Sequence, residues 1–287
     1  MTATTNISII SRPGQQKPQV DRSVRVRRAL LNAGPPVLVF IAFIAVWWIV
    51  SATVYGDRNY LLPRPNAVVR AMVDNWGLIA EGTWITFTSA ATGFLLAIVF
   101  GMLGAIVMSL SKPLERSFYP YAVLLQTVPI VAVAPVIVLW FGYNQTSVIV
   151  IAFMIAVFPI LNNTLLGLAS ADRNQLDLFR MHHANKVVEF VKLRFPGALP
   201  NIFAGLRISA GLSVIGAIVG EFIIGSGGEK GGLGVKVIFA QVRLQTDLLF
   251  AEVIASTLLG FLFFIVVSWI GSLSLRKWHE SALKPDA

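Results

Sequence analysis

Residues 84–108 read WITFTSAATGFLLAIVFGMLGAIVM, a run without a single Asp, Glu, Lys or Arg. A helix rises 1.5 Å per residue, so roughly 20 mostly apolar residues cross the hydrocarbon core of a bilayer. Five more stretches meet that test, at 35–54, 119–141, 147–168, 202–224 and 250–275. The sequence therefore predicts an all-α integral membrane protein of about six transmembrane helices. Composition agrees: 13% of the residues are charged, 56% are hydrophobic and the mean hydropathy is +0.74. A soluble domain carries about 25% charged residues, enough to wet its surface.

The net charge of +9 fits either nucleic acid or an anionic membrane face. Its distribution decides. With a cytoplasmic N-terminus and alternating sides, sixteen Lys and Arg fall inside and six outside, and Arg207 snorkels from within the fifth span. The expectation is N-in and C-in, with anionic membrane lipid as the partner of the basic residues and no nucleic acid. The polar, basic segment 1–33 lacks an apolar core ending in a small-residue cleavage site, so it reads as a cytoplasmic tail, not a signal peptide. Residues 34–275 form the transmembrane domain, with a core at 83–275, and 276–287 form a second cytoplasmic tail. The absence of Cys removes thiol chemistry and Cys-based metal sites.

Between spans, 62–76 reads as a turn and a short amphipathic helix on the outer face. The loop 225–234 is glycine-rich, but Glu229 precedes Lys230 and no Ser or Thr follows, so it is not a phosphate-cradling loop. If ATP powers this protein, another chain binds it. The longest polar connection is 169–201. There Leu176, Phe179, Val187, Phe190 and Val191 recur at helical spacing, which predicts an amphipathic helix. The stretch 195–200, FPGALP, carries two prolines that disfavour helix before them, which predicts a rigid turn and a span starting at Asn201. Such an element serves either as a helix lying on headgroups or as a docking element for a partner.

Polar groups within spans are costly and tend to face a cavity or one another. Gln126, Thr127, Asn162, Asn163, Ser209, Ser213 and Glu221 are the candidates, as path lining or as interhelical staples. Pro129, Pro135 and Pro159 free backbone carbonyls nearby, which favours a path lining around Gln126 and Asn162. Glu221 either reaches headgroups or pairs with Lys230 or Lys236, or else shapes an outer gate. His182 and His183 are adjacent and cannot share a helix face, so no metal site is expected. No nucleophile–base pair or carboxylate dyad suggests catalysis, and no cofactor is implied.

The 169–201 loop resembles the cytoplasmic signature of ATP-binding-cassette (ABC) importer permeases. That signature runs Glu-Ala-Ala, three residues, Gly, nine residues, a hydrophobic residue, one residue, Leu-Pro. Asp177, Leu178 and Phe179 take the Glu-Ala-Ala positions and His183 takes the glycine. Pro196, Ala198, Leu199 and Pro200 fit the closing Leu-Pro-x-Ala-Leu-Pro, and the following 205–208, GLRI, is similar too. The stretches 126–135 (QTVPIVAVAP), 139–142 (LWFG), 158–164 (FPILNNT) and 220–222 (GEF) look like the nitrate/sulfonate/taurine branch. Leu178 and Phe179 depart from the small alanines and bulk up the surface. For the lost glycine, Asn185 is expected to take the positive-φ conformation.

The resemblance implies a type I permease fold in a bacterial plasma (inner) membrane. It implies pairing with a second permease copy, two cytoplasmic ATPase subunits docked on the loop, and an extracytoplasmic binding protein that delivers solute. Asp177, Leu178, Phe179, Arg180, His183, Leu199 and Pro200 would form the coupling surface. The cargo would be a small anion such as nitrate, a sulfonate or taurine, or a vitamin or pyrimidine precursor. The competing expectation is a proton-coupled secondary carrier using Glu221, although no inverted repeat is visible.

Overall fold

The computed structural model describes residues 22–53, 61–225 and 231–279, with side-chain surroundings for 34–53, 61–225 and 231–275. Lys230, Val54 and the terminal segments 1–21 and 280–287 lie outside the described residues, and so do the expectations that rest on them. Helix α1, Arg22–Thr53, contains one apolar span, Gly34–Thr53, and forms a unit by itself. The remaining helices form a second unit.

That unit begins with α2 (Pro65–Asp74), whose proline sits where a helix has no N–H to lose. It continues through α3 (Trp76–Ser109), α4 (Lys112–Thr127), α5 (Ile130–Phe141) and α6 (Gln145–Ala169). Then come α7 (Arg173–Met181), α8 (Lys186–Glu189), a π-helical turn (Phe190–Arg194) and α9 (Phe195–Ile224). Helices α10 (Leu233–Val242) and α11 (Thr246–His279) complete it. Five helices are long and apolar enough to span, and a sixth span exists if the bent pair α4–α5 counts as one.

The third expected span is not a straight helix. Its two halves meet at 97°. Pro129 has no N–H to continue the ladder and pushes Val128 into extended backbone, φ −68° and ψ 122°. The second expected span also starts earlier, at Trp76, because nothing breaks the helix between 76 and 84.

Helices α3, α6 and α9 form the centre, with α6 packed against both others. Small residues make the approach possible. On α3, Gly93, Ala97, Gly101 and Ala105 recur every fourth residue and are all buried. A Cβ on Gly93 would lie 2.7 Å from that of Ala152 on α6, and one on Gly216 of α9 would lie 2.8 Å from the Ala152 Cα. Lipid tails are as apolar as Leu, so close backbone packing of this kind, rather than hydrophobic exclusion, drives association in a bilayer. Phe94 meets Phe263 of α11 edge to face at 5.3 Å.

The 169–201 connection differs from its expectation in two ways. It is two helices, not one, separated by a tight turn at His182–Ala184. The FPGALP stretch is also not a turn: the chain is helical from Lys186 to Ile224. Pro196 therefore lies inside a continuous helical run, where its missing N–H and its ring disrupt the regular ladder. Just before it, the Phe195 N–H bonds the Phe190 carbonyl five residues back, the π-helical pattern that absorbs the misfit.

Candidate functional site

Two places in the bundle carry unusual chemistry, one at each end. At the end where α3, α6 and α9 meet the 169–201 loop, α7 begins at Asp172, whose Oδ1 accepts from the Asn174 N–H at 2.8 Å. It ends in a Schellman motif: the Ala184 N–H reaches the Phe179 carbonyl at 3.0 Å and the His183 N–H the Arg180 carbonyl at 2.9 Å. His183 itself adopts φ +53°, so it takes the left-handed position that the family's glycine would occupy. Asn185 does not. It is extended at φ −71° and caps α8, its Oδ1 accepting from the Val188 N–H at 2.8 Å. The expected transfer of positive φ to Asn185 is therefore corrected.

Helix α7 packs extensively on none of the spans. Asp177 and Arg180 pair with each other at 3.2 Å while both stay exposed, so the pair contributes little to stability. Leu178 is 53% and Met181 78% exposed, one helical turn apart on a single face, whereas Phe179 is largely buried. Sequence reasoning singled out Phe179 and passed over Met181, because periodicity identifies an apolar face without saying which face the fold leaves uncovered.

Behind α7 the element is stiff. Arg194 bonds Glu189 at 2.8 Å across the π-turn, and both side chains are largely shielded. Phe190, Phe195 and Leu199 pack with Leu168, Ala198 and Ile202, tying the connection to α6 and α9. Pro200 is exposed.

At the opposite end, Glu221 of α9 is 3% exposed. Thr86 Oγ1 of α3 donates to its carboxylate at 3.0 Å, and the Gly234 N–H donates at 2.8 Å. Thr86 Oγ1 in turn accepts from the Leu233 N–H at 2.8 Å. The carboxylate thus caps the first turn of α10, where unpaired N–H groups and the helix dipole both favour it. Gly232 permits this approach, since a Cβ there would collide with the carboxylate. Lys236 turns away from Glu221 and bridges Glu81 at 3.5 Å, its stem crossing α3 at Gly82. Its charge also acts on Glu252 of α11, which is 1% exposed. Thr86, Glu81 and Glu252 were not singled out in the sequence, and Lys236 entered only as a partner for Glu221, since nothing local marks residues so distant as neighbours.

The other in-span candidates are dispersed. Gln126 and Thr127 are exposed at the α4–α5 bend. Tyr119 donates its hydroxyl to Asn162 Oδ1 at 3.0 Å, joining α4 to α6. Asn163 Nδ2 donates to the Pro159 carbonyl at 2.8 Å within its own helix. Ser209 donates to the Ala156 carbonyl at 2.7 Å, across α9 and α6, and Ser213 donates to Ala210 at 2.9 Å. Both serines are fully buried. The Arg207 guanidinium lies beside Gly271 of α11, a Cβ there being 3.4 Å from its Nη2. Among the described residues, no three His, Cys, Asp or Glu side chains converge as a metal site.

Comparison with known proteins identifies the family to which these spans belong. Residues 93–278 match the family described as binding-protein-dependent transport system inner membrane component. The chain belongs to that family. It is the membrane-spanning permease subunit of an ABC importer, a multi-pass inner-membrane protein.

The formylaminopyrimidine transport permease ThiX of Halalkalibacterium halodurans is 35% identical over 250 residues, covering 85% of this chain and 96% of that one. The riboflavin transport system permease RibX of Chloroflexus aurantiacus is 30% identical, covering 85% and 90%. The nitrate import permease NrtB of Synechococcus elongatus is 30% identical, covering 73% and 78%. Among solved structures, a chain of an amino acid ABC transporter matches with a TM-score of 0.57 at 19% identity, covering 72% of this chain and 96% of that chain. That likeness concerns the fold. The family assignment disfavours the proton-coupled carrier.

Proposed function

We propose that the permease works as a pair of copies with two ATPase subunits docked on the two 169–201 loops, and that ATP is hydrolysed on those separate chains. Both termini are cytoplasmic, with the tails at 1–33 and 276–287 and the transmembrane domain between them. A binding protein delivers solute at the α10 end. Closure of the ATPases moves α7, and the Glu189–Arg194 pair and the Phe190–Phe195 cluster transmit the motion into α6 and α9.

The observation that carries this reading is the exposed apolar pair Leu178 and Met181 on a helix with no extensive packing on the spans. Apolar side chains held out of the bundle on a rigid mount mark a protein contact. Asp177, Phe179, Arg180 and His183 complete that surface, and Leu199 and Pro200 belong to its mount. Along the solute path we place Gln126, Asn162 and Asn163, which are at least partly accessible. Ser209, Ser213 and Glu221 border the path from within the bundle and brace it. The cargo is a small solute of the kind named for the relatives, such as formylaminopyrimidine, riboflavin or nitrate.

Co-purification tests the reading. Wild-type permease should carry along the ATPase encoded beside it, and the Leu178→Ala/Phe179→Ala double variant should insert normally but lose it. Retention of the ATPase by that variant would overturn the docking role.

A further inference from the structure

Arg207 stands inside the span of α9 without a counter-charge. Its Nε–H is buried with no hydrogen-bond partner, and no carboxylate among the described residues pairs with it. The side chain is only partly covered, which leaves the Nη end of the guanidinium accessible. A charge held within a span is costly and calls for a partner. The described carboxylates at the loop end are already engaged. Glu115 pairs with Lys112, Asp177 with Arg180 and Glu189 with Arg194, at 3.1, 3.2 and 2.8 Å, and Asp172 caps α7. A second copy of the chain would bring the same engaged set.

Helix α11 provides the seat. A Cβ on Gly271 would lie 2.9 Å from Phe203 Cδ1 and 3.4 Å from Arg207 Nη2, so the glycine makes room for the guanidinium. Gly271 lies four residues before Leu275, where the apolar span of α11 ends, and so about 6 Å inside that end. A snorkelling arginine reaches the headgroups from such a depth. Ser268, one turn earlier, has an unspent donor. Ser256, Ser272 and Ser274 on the same helix each donate to a carbonyl of the preceding turn, whereas Ser268 Oγ is buried without a partner. The adjoining flank faces outward, with Trp269 63% and Ile270 48% exposed. Tryptophan favours the headgroup level of a bilayer.

We propose that Arg207 holds the phosphate of an anionic phospholipid in the leaflet at the loop end, with Ser268 as a second donor and the acyl chains along the exposed flank of α11. A guanidinium matches two phosphate oxygens at once. The preference is for an anionic lipid because a zwitterionic headgroup brings an ammonium of its own, and no free carboxylate among the described residues receives it. The lipid completes a seam between α9 and α11 whose donors the chain leaves unmatched. The inference rests on the family's place in the membrane and not on the docking reading.

The test uses full-length permease purified with its ATPase, stripped of lipid and titrated with phosphatidylglycerol, phosphatidylcholine or inorganic phosphate. Native mass spectrometry counts the bound lipid on the permease. Phosphatidylglycerol should bind about fivefold more tightly than phosphatidylcholine, the worth of one cationic side chain at a charged headgroup. Inorganic phosphate should not displace it. Arg207→Gln should abolish the preference and Arg207→Lys should keep it. Ser268→Ala should weaken phosphatidylglycerol by about fivefold. These last two variants keep the test readable if Arg207→Gln fails to fold. Equal binding of the two lipids to the wild type would overturn the proposal, as would an unchanged preference in Arg207→Gln. Displacement by inorganic phosphate would mark a site for free anions and overturn it too. An ATPase that does not co-purify would count against the docking reading alone, because the lipid is read on the permease itself.

Discussion

Thr86 on α3 and Glu221 on α9 are 135 residues apart, yet the threonine hydroxyl sits 3.0 Å from both carboxylate oxygens while accepting the Leu233 N–H. One hydroxyl thereby joins three helices. The carboxylate that looked like a gate or a headgroup contact is the cap on which α10 rests. Thr86→Val keeps the shape but removes the donor and the acceptor. It should destabilise the folded permease by about 1–2 kcal/mol, the upper range for hydrogen bonds between membrane helices. A thermal denaturation series in detergent, with Thr86→Ser as the conservative control, measures this; an unchanged Tm would remove Thr86 from the latch.

Gly232 is expected to be intolerant for a different reason. A methyl group there would enter the space of the Glu221 carboxylate, so Gly232→Ala must displace α10 or the carboxylate. A loss of about 1–3 kcal/mol is the usual result of overpacking. Gly77 near the start of α3 has nothing within 4 Å of an added Cβ, and Gly77→Ala should be neutral or slightly stabilising. The same thermal measurement on both variants should separate them.

Lys236 acts on two carboxylates unequally: it pairs with Glu81 at 3.5 Å, and its charge reaches Glu252. Glu81 is half-exposed, so Glu81→Gln should change stability by about 1 kcal/mol or less. Lys236→Met removes the positive charge that acts on the buried Glu252 and should cost about 1–3 kcal/mol, the range for a buried polar group left without a partner. Adding Glu252→Leu to Lys236→Met should restore much of that loss. If the double variant is no more stable than Lys236→Met alone, the two residues are not coupled.

His183 holds a backbone conformation that disfavours any side chain, by about 1–2 kcal/mol relative to glycine. His183→Gly should therefore preserve or tighten the α7–α8 turn, and His183→Val should loosen it. Limited proteolysis of the loop reads this directly, with faster cleavage expected for valine and equal or slower cleavage for glycine.

At the proposed docking face, Leu178→Asp and Met181→Asp should each weaken ATPase binding by about 2–4 kcal/mol, without affecting insertion. Lys192→Asp on the π-turn serves as a charge control. Pull-down of the ATPase over a range of salt concentrations makes the comparison, and equal losses in all three variants would indicate charge rather than the apolar face.

Much of this protein was legible in the sequence. Membrane spans declare themselves because every backbone polar group in lipid must be satisfied within its own helix, so an apolar run such as 84–108 has one outcome. The family was legible in the motifs of the 169–201 loop and the spans, and the break in the third span was foreshadowed by Pro129. Tertiary structure decided what depends on neighbours. Whether FPGALP is a turn or the start of α9 depended on the π-turn ahead of it. Which apolar side chains of α7 stay exposed depended on where the spans end. Glu221 gained its role from Thr86 and Gly234, partners that local pattern cannot pair with it. Periodicity is a property of one helix at a time; the hydrogen bonds and glycine contacts that assign work to Glu221 and Lys236 exist only between helices.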